Sequence, residues 1–565
     1  MPARPGKAAL FEQFAADGIT HMFGNPGTVE QGFLDLAGAG ATRYVLALHE
    51  SVAVAMADGY ARAAQRPSVV QLHSGVGLGN AAGMLYQAKR GGSPLVALVG
   101  EAGVRYDAMD AQMAADLVAM AAPVTKYATR VLDPSSVLRV LRRAVKIAMT
   151  PPRGPVLVVL PADVLDQDTA ESAVATLVPS LRAVPEPAAV AEAARLLTSG
   201  TAPLVLMGDG IAASGAQRQL TAVAERLGAP VWGVNSSEVN FDTTHPLFAG
   251  NLGHMSGADS ARVVGGADTV LIAGTYVFPE VFPSLANPFA PGARIVHIDA
   301  DAYEIAKNFP VDLGLAGDPA LALGALGAEL ASRGGAAPAR PAAPRRPHGP
   351  HGPHGPHGRD GQQGRDGRDG QHGQHGRDGR QGREGLMEAF ARELAARAPA
   401  NLAVFDEALT ASPALTRHLP PRVPGTYFQT RGGSLGVGIP GAIGVKLARP
   451  DLQVVGFTGD GASMYTVQAL WTAARYGVSA GFVVCNNRRY RLLDLNIERY
   501  WQEQGIAPHA YPDAFDLSRP EIRFADLARS LGVAGQRVDA PEQVGPAVHA
   551  MLTHDGPYLV DLVTG

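Results

Sequence analysis

The chain has 565 residues, a formal net charge of −4 at pH 7 and one cysteine, Cys485, so a disulfide framework is excluded, a cysteine-based zinc site is disfavoured, and nothing suggests the basic surface of a nucleic-acid binder. Apolar residues make up 46% and charged residues 18%, an ordinary globular balance, and at roughly 150 residues per domain the length suggests about three or four domains. The opening MPARPGKAALFEQFAADG lacks the apolar core of a signal peptide and no run reaches about 18 apolar residues, so the expectation is a soluble, cytoplasmic protein with no membrane partner.

From the N-terminus, short apolar runs alternate with helical stretches: RPSVVQLH, then SGVGLGNAAGMLYQAKR, then SPLVALVG. Strand, glycine-rich turn and helix in that order indicate a parallel sheet covered by helices on both faces. The pattern recurs as TAPLVLMGDG, GAPVWGV, DTVLIAG and ARIVHIDA, and again as DLQVVGFTGDG, AGFVVCNN and GPYLVDLV. The fold class expected is α/β, with three doubly wound parallel-sheet domains at 1–180, 181–335 and 386–565. Between the last two, 336–385 is a low-complexity linker in which glycine falls at every third position from Gly349 to Gly385. Such spacing belongs to collagen, but only Pro350, Pro353 and Pro356 would stiffen it, and a flexible polar linker is the preferred reading. Six histidines there (His348, His351, His354, His357, His372, His375) could take up metals adventitiously.

The densest chemical signal lies in the last domain. An apolar strand ends in Gly459-Asp460-Gly461-Ala462-Ser463; the stretch MYTVQALWTAARYG reads as a helix; the strand AGFVVC follows and ends in Asn486-Asn487. A right-handed crossover sets the two strand ends side by side. A carboxylate, an amide oxygen and a nearby backbone carbonyl then surround one hard cation, the oxygen set that Mg²⁺ prefers alongside phosphate. The glycines let backbone N–H groups approach a diphosphate at a helix N-terminus. Asp460 alone reads equally as a turn or cap residue, and a second GDG at Gly208-Asp209-Gly210 shows how little the triplet means by itself.

GDG followed by NN at this spacing resembles the thiamine diphosphate (ThDP) motif of the pyruvate oxidase and decarboxylase superfamily. The order FGNPGTVE, ALHESVAVAMADGYARA, HSGVGLGN in the first domain is similar to the pyrimidine-binding domain of the same superfamily, closest to the benzoylformate decarboxylases. The resemblance covers nearly all of the chain outside the linker. It implies that Asp460, Asn487 and the carbonyl of Arg489 hold Mg²⁺, with Gly461, Ala462, Ser463 and Tyr490 around the diphosphate. It implies that Leu435, in RGGSLGVGIPGAIGVKLA, props the cofactor into a bent shape, that the Gly433 carbonyl meets the aminopyrimidine, and that Thr410, in DEALTAS, reaches the diphosphate from the other side. Leu435 is otherwise an ordinary core residue.

The same resemblance makes Glu50 the activating glutamate. Its carboxyl would favour the imino form of the pyrimidine, which generates a C2 ylide; attack on a 2-oxo acid and loss of CO₂ leave an enamine, with the cofactor as electron sink. His73 corresponds to a proton-transfer histidine, and Thr28 to a serine that contacts the substrate carboxylate. Without the match, Glu50 reads as a helix N-terminal carboxylate and His73 as a hydrogen-bonded residue before a glycine loop. That loop, Gly75-x-Gly77-x-Gly79, lacks the GxGxxG spacing of a dinucleotide fingerprint. His49 stands where benzoylformate decarboxylases have glutamine, either a second titratable group or a packed one. The middle stretch GTYVFPEVFPSLANP lacks their second active-site histidine; Val281 falls nearest, with Tyr276 and Glu280 close by. RRYRLLDLNIERYW either selects an anionic or larger substrate or is a solvated charged helix.

The function expected is a ThDP- and Mg²⁺-dependent carbon–carbon lyase, a 2-oxo acid decarboxylase or carboligase, working as a homodimer or homotetramer with sites between subunits. The alternatives are an acetolactate synthase-like or 2-hydroxyacyl lyase-type enzyme, with no clear signal for flavin, and an inactive scaffold assembled through the Gly-X-Y segment.

Overall fold

The computed structural model describes residues 3–37, 40–252, 255–278, 280–334 and 385–565. The Gly-X-Y reading of 336–385 falls outside the described residues except for Gly385, which begins the helix Leu386–Arg397.

The first sheet contains β1 (His21–Gly24), β2 (Arg43–Leu46), β3 (Ser68–His73), β4 (Leu95–Glu101), β5 (Tyr127–Arg130) and β6 (Val156–Pro161), all parallel, in the order β2-β1-β3-β4-β6-β5. Its central strands are unbroken apolar runs because both faces are covered: VLVVLP of β6 is buried throughout. The crossovers include α1 (Glu50–Ala64) and α2 (Ser74–Gly91), the second stopped by Gly92 in the left-handed conformation at φ 67°. The middle sheet runs β7 (Pro203–Met207), β8 (Val231–Val234), β9 (Phe248–Leu252), β10 (Thr269–Ala273), β11 (Arg294–Asp299) and β12 (Leu313–Ala316), ordered β9-β8-β7-β10-β11-β12. The last sheet holds β13 (Leu402–Glu407), β14 (Tyr427–Gln429), β15 (Gln453–Gly459), β16 (Ala480–Asn486), β17 (Ala534–Val538) and β18 (Tyr558–Val563), ordered β14-β13-β15-β16-β18-β17. The first and last sheets therefore share one topology, and the middle one has the dinucleotide-fold order.

Each sheet has one place where the chain leaves a strand towards one edge and returns to its other side. Strand ends diverge there and open a crevice. The switch points lie between β1 and β3, between β7 and β10, and between β13 and β15. The middle one is closed: a Cβ on Gly210 would stand 2.6 Å from the Gly274 Cα, and one on Gly208 would stand 2.5 Å from the Thr275 Cβ. The second GDG is therefore packed directly against Gly274 and Thr275.

The first and last sheets meet through α1 and α3 (Gly438–Ala448), which cross at backbone contact. A Cβ on Gly444 would lie 2.0 Å from the Met56 carbonyl oxygen, and one on Gly59 would lie 2.2 Å from that of Gly441. One buried cluster runs through this crossing from Val70 and Val99 of the first sheet to Phe405 and Val484 of the last.

Two expectations need correction. The glycines after His73 form no loop; Gly75, Gly77 and Gly79 occupy the first turns of α2. MYTVQALWTAARYG is not one helix either: α4 (Asp460–Ser463) and α5 (Ala469–Tyr476) are separated by turns in which Thr466 gives its hydroxyl to the Gly436 carbonyl at 2.6 Å.

Candidate active site

The crevice between β1 and β3 gathers the groups expected of the first domain. Glu50 opens α1 and is buried. Asn25, just beyond β1, donates its amide to Glu50 Oε1 at 3.1 Å, and Asn80 of α2 donates to Oε2 at 3.0 Å. A Cβ on Gly77 would stand 3.1 Å from Oε1, which is why glycine occurs inside α2 at this point. His49 is a packed residue: its Nδ1 caps α1 by accepting the Ser51 N–H at 3.2 Å.

His73 closes β3, and its Nδ1 lies 2.9 Å from Oε2 of Glu30. Glu30 is 2% exposed, and burial pushes its carboxyl up while the His73 hydrogen bond pulls the other way. Engaging Nδ1 fixes the ring and leaves Nε2 outside that pairing. Two more glycines clear the space, since a Cβ on Gly27 would fall 2.0 Å from His73 Nδ1 and one on Gly100 would fall 2.1 Å from Glu30 Oε1. Asn25, Asn80 and Glu30 escaped the sequence reading, although Glu30 ends the FGNPGTVE motif itself. Thr28 is exposed in the same loop.

At the carboxyl ends of β15 and β16 the register pairs Gly459 with Cys485, so Asp460 follows its strand level with Asn486 and Asn487 comes one residue later. Asp460 is 4% exposed; its Oδ1 accepts the Gly461 N–H at 2.8 Å, while Oδ2 is buried with no hydrogen-bond partner. Burial pushes the Asp460 carboxyl up. An orphaned buried carboxylate oxygen is a costly rarity that a bound cation would relieve, so the residues present fit Mg²⁺. Asn487 Oδ1 accepts the Arg489 N–H at 3.0 Å, which folds the NN turn back on itself. The Tyr490 ring lies over Gly461, 2.4 Å from where a Cβ would be. Ala462 and Ser463 are buried, and the Ser463 hydroxyl donates to the Asp460 carbonyl at 2.8 Å. Among the described residues no group of three or more His, Cys, Asp or Glu is placed to hold a metal ion.

The segment with Gly433 and Leu435 borders the crevice between β13 and β15. Gly433 is exposed at φ 79°, with open space where a Cβ would be, and Leu435 is half-buried rather than core. Its base is fixed by Glu407, which sequence reasoning also missed. Glu407 ends β13 fully buried and accepts the N–H groups of Gly436 (2.7 Å), Val437 (3.1 Å) and Gly438 (2.8 Å) and the Thr458 hydroxyl (3.0 Å). Burial pushes its carboxyl up to about 7 against those donors. Thr410 lies half-buried in the short turn Leu409–Ala411, downstream of Asp406, which holds the turn through the Ala408 N–H at 2.8 Å and the Ser412 hydroxyl at 2.9 Å.

The middle stretch offers no histidine among its described residues. Val281 is exposed, Tyr276 receives a hydrogen bond from Arg90 and lies under the Lys307 ammonium, and Glu280 is 6% exposed with both carboxylate oxygens unpartnered. RRYRLLDLNIERYW forms α6 (Arg491–Gln504) and its approach. Its cations are engaged: Arg489 and Arg491 pair with the fully buried Asp494 at 2.9 and 3.3 Å, and Arg499 with Asp259 at 3.1 Å.

The chain matches three family models in order: the N-terminal TPP binding domain of thiamine pyrophosphate enzymes over residues 4–120, the central domain over 190–326, and the C-terminal TPP binding domain over 410–562. It is 31% identical to benzoylformate decarboxylase of Pseudomonas aeruginosa, across 99% of this chain and 98% of that protein. It is 28% identical to the acetolactate synthase large subunit of Parasynechococcus marenigrum, across 99% of this chain and 87% of that one. Its fold is similar to the crystal structure of benzoylformate decarboxylase from Polynucleobacter necessarius, with a TM-score of 0.83, 25% identity and 99% of both chains covered. The chain belongs to the thiamine pyrophosphate enzyme family and carries all three of that family's domains.

Proposed function

We propose that the protein is a Mg²⁺-dependent 2-oxo acid decarboxylase or carboligase of benzoylformate decarboxylase type, divided at 1–180, 181–335 and 386–565. The observation that carries the reading is the first-sheet edge, where a carboxylate held by two amides (Glu50) shares a crevice with a histidine oriented by a buried carboxylate (His73 with Glu30). Bound ThDP supplies the electron sink for loss of CO₂. Asp460, Asn487 and the Arg489 carbonyl would hold the Mg²⁺, and Gly461, Ala462, Ser463, Tyr490 and Thr410 would line the diphosphate. Gly433 and Leu435 would meet the pyrimidine and thiazolium rings.

Glu50 would hold its proton at the pyrimidine nitrogen, with Asn25 and Asn80 fixing both oxygens so that no rotamer search precedes the transfer. His73 would deliver or accept the substrate-side proton through Nε2, and Thr28 would hydrogen-bond the substrate carboxylate. Family membership is the support for a homodimer or homotetramer with sites between subunits, and light scattering reads the oligomeric state directly.

A panel of aliphatic and aromatic 2-oxo acids, assayed for CO₂, aldehyde and 2-hydroxy ketone, tests the reading. Turnover is expected only with ThDP and Mg²⁺ present; dialysis against EDTA abolishes it and Mg²⁺ restores it. Turnover of no 2-oxo acid in the panel would overturn the proposal. Acetolactate-type products in place of aldehyde would favour the acetolactate synthase-like alternative.

A further inference from the structure

Where the three domains meet, two arginines and two carboxylates lie together, largely out of solvent. Arg431 comes from the last domain, Arg62 from α1, and Asp209 and Glu238 from the middle domain. Glu238 Oε1 lies 2.6 Å from Arg431 Nη2 and 3.2 Å from Arg62 Nε, and Asp209 Oδ2 lies 3.3 Å from Arg431 Nη2. The side chains of Arg62, Arg431, Glu238 and Asp209 are 2%, 10%, 11% and 22% exposed. Asp209 is the acid of the second GDG, at the middle domain's closed switch point, and it also accepts the N–H groups of Ser237 (2.9 Å) and Glu238 (3.1 Å). Burying four charged groups is expensive unless their arrangement does something the fold needs.

Arg431 stands two residues before Gly433 and four before Leu435. The intervening backbone is intrinsically loose, because Gly432 and Gly433 lie in succession at φ 64° and 79° and glycine has the most freedom to lose on ordering. On the far side of the glycines, Ser434 is tied to α2: its N–H donates to Gln87 Oε1 at 3.3 Å and its hydroxyl to the Gly83 carbonyl at 3.0 Å. The glycine pair is thus clamped at both ends, by the middle domain through Arg431 and by α2 through Ser434.

We propose that Glu238 is a positioning residue for the cofactor loop: the middle domain, with its own crevice closed, grips Arg431 and so holds Gly433 and Leu435 in the conformation that receives ThDP. This rests on the cofactor reading above. With the grip released, the two glycines regain their freedom and binding must re-impose it.

Glu238→Gln keeps the volume and removes the charge. Glu238→Gln/Arg431→Met then removes the arginine that has lost its nearer carboxylate and keeps only Asp209, so that folding is expected to survive. ThDP with Mg²⁺ is titrated into full-length apoprotein by fluorescence quenching, and urea unfolding of the same apoproteins is recorded. The expected result is a Kd for ThDP raised at least tenfold in both variants, with the urea midpoint lowered in the single variant and recovered in the double. A Kd within twofold of wild type in both variants, or one that recovers along with the midpoint, would overturn the inference. Wild-type apoprotein that binds no ThDP would overturn the cofactor reading and this inference with it.

Discussion

Glu30 and His73 sit 43 residues apart in the chain, yet His73 Nδ1 and Glu30 Oε2 lie 2.9 Å apart, with the carboxylate buried. Glu30→Gln keeps the shape but makes the partner a poor acceptor for Nδ1–H. The expected outcome is a fall in kcat of about 10- to 100-fold with KM changed far less, since general acid–base transfer is worth about 10²- to 10⁴-fold; steady-state kinetics on the preferred 2-oxo acid checks it. Two titratable residues of β11 act on stability in opposite senses. Burial pushes His297 down to about 4 and Asp299 up to about 7. The folded state binds the His297 proton less tightly than the unfolded chain, so that contribution is present above about 6.5 and is lost as pH falls towards 4. The folded state binds the Asp299 proton more tightly, so that contribution is present at low pH and is lost as pH rises from about 4 to 7. Relative to wild type, the thermal midpoint of His297→Gln should drop as pH is raised from 4.5 to 6.5, and that of Asp299→Asn should climb. Parallel trends in the two variants would contradict the assignment.

Among the elements, the turn into α3 depends most on one side chain. Glu407 takes three consecutive backbone N–H groups and the Thr458 hydroxyl, which serves the unpaired donors at the start of α3. Glu407→Ala leaves those donors buried and unsatisfied, at about 1–3 kcal/mol for each group not rescued by water. A loss of at least about 3 kcal/mol in urea unfolding is expected; a loss under about 1 kcal/mol would contradict the clamp. The strands and their order of chemistry were legible in the sequence because parallel strands buried on both faces read as apolar runs, and because Asp460, Asn487, Glu50 and His73 stand at strand ends, where glycine and polar residues break those runs. Glu30 and Glu407 were not legible. Each is a carboxylate whose partners are chosen by the fold, 43 residues away for Glu30 and 29 to 31 for the backbone donors of Glu407, and spacing carries no record of such pairs. Glycines were visible but misread: Gly77 looked like part of a loop and is a helical residue that makes room for Glu50.

At the scale of the molecule, three sheets divide the labour. The first and last share a topology, each opens a crevice at its switch point, and they are welded by the glycine crossing of α1 and α3. The middle sheet has the order that opens a nucleotide crevice in other folds, yet its switch point is closed and its acids face inward to Arg62 and Arg431. Among the described residues no helix is long and apolar enough to cross a membrane. The proposed function turns most directly on Glu50, which it makes the group that activates the cofactor. CO₂ release by Glu50→Ala, compared with wild type at saturating ThDP and Mg²⁺, measures that role. A loss in kcat of at least about 10²-fold is expected, with the urea midpoint close to that of wild type. Decarboxylation at near wild-type rates would contradict it.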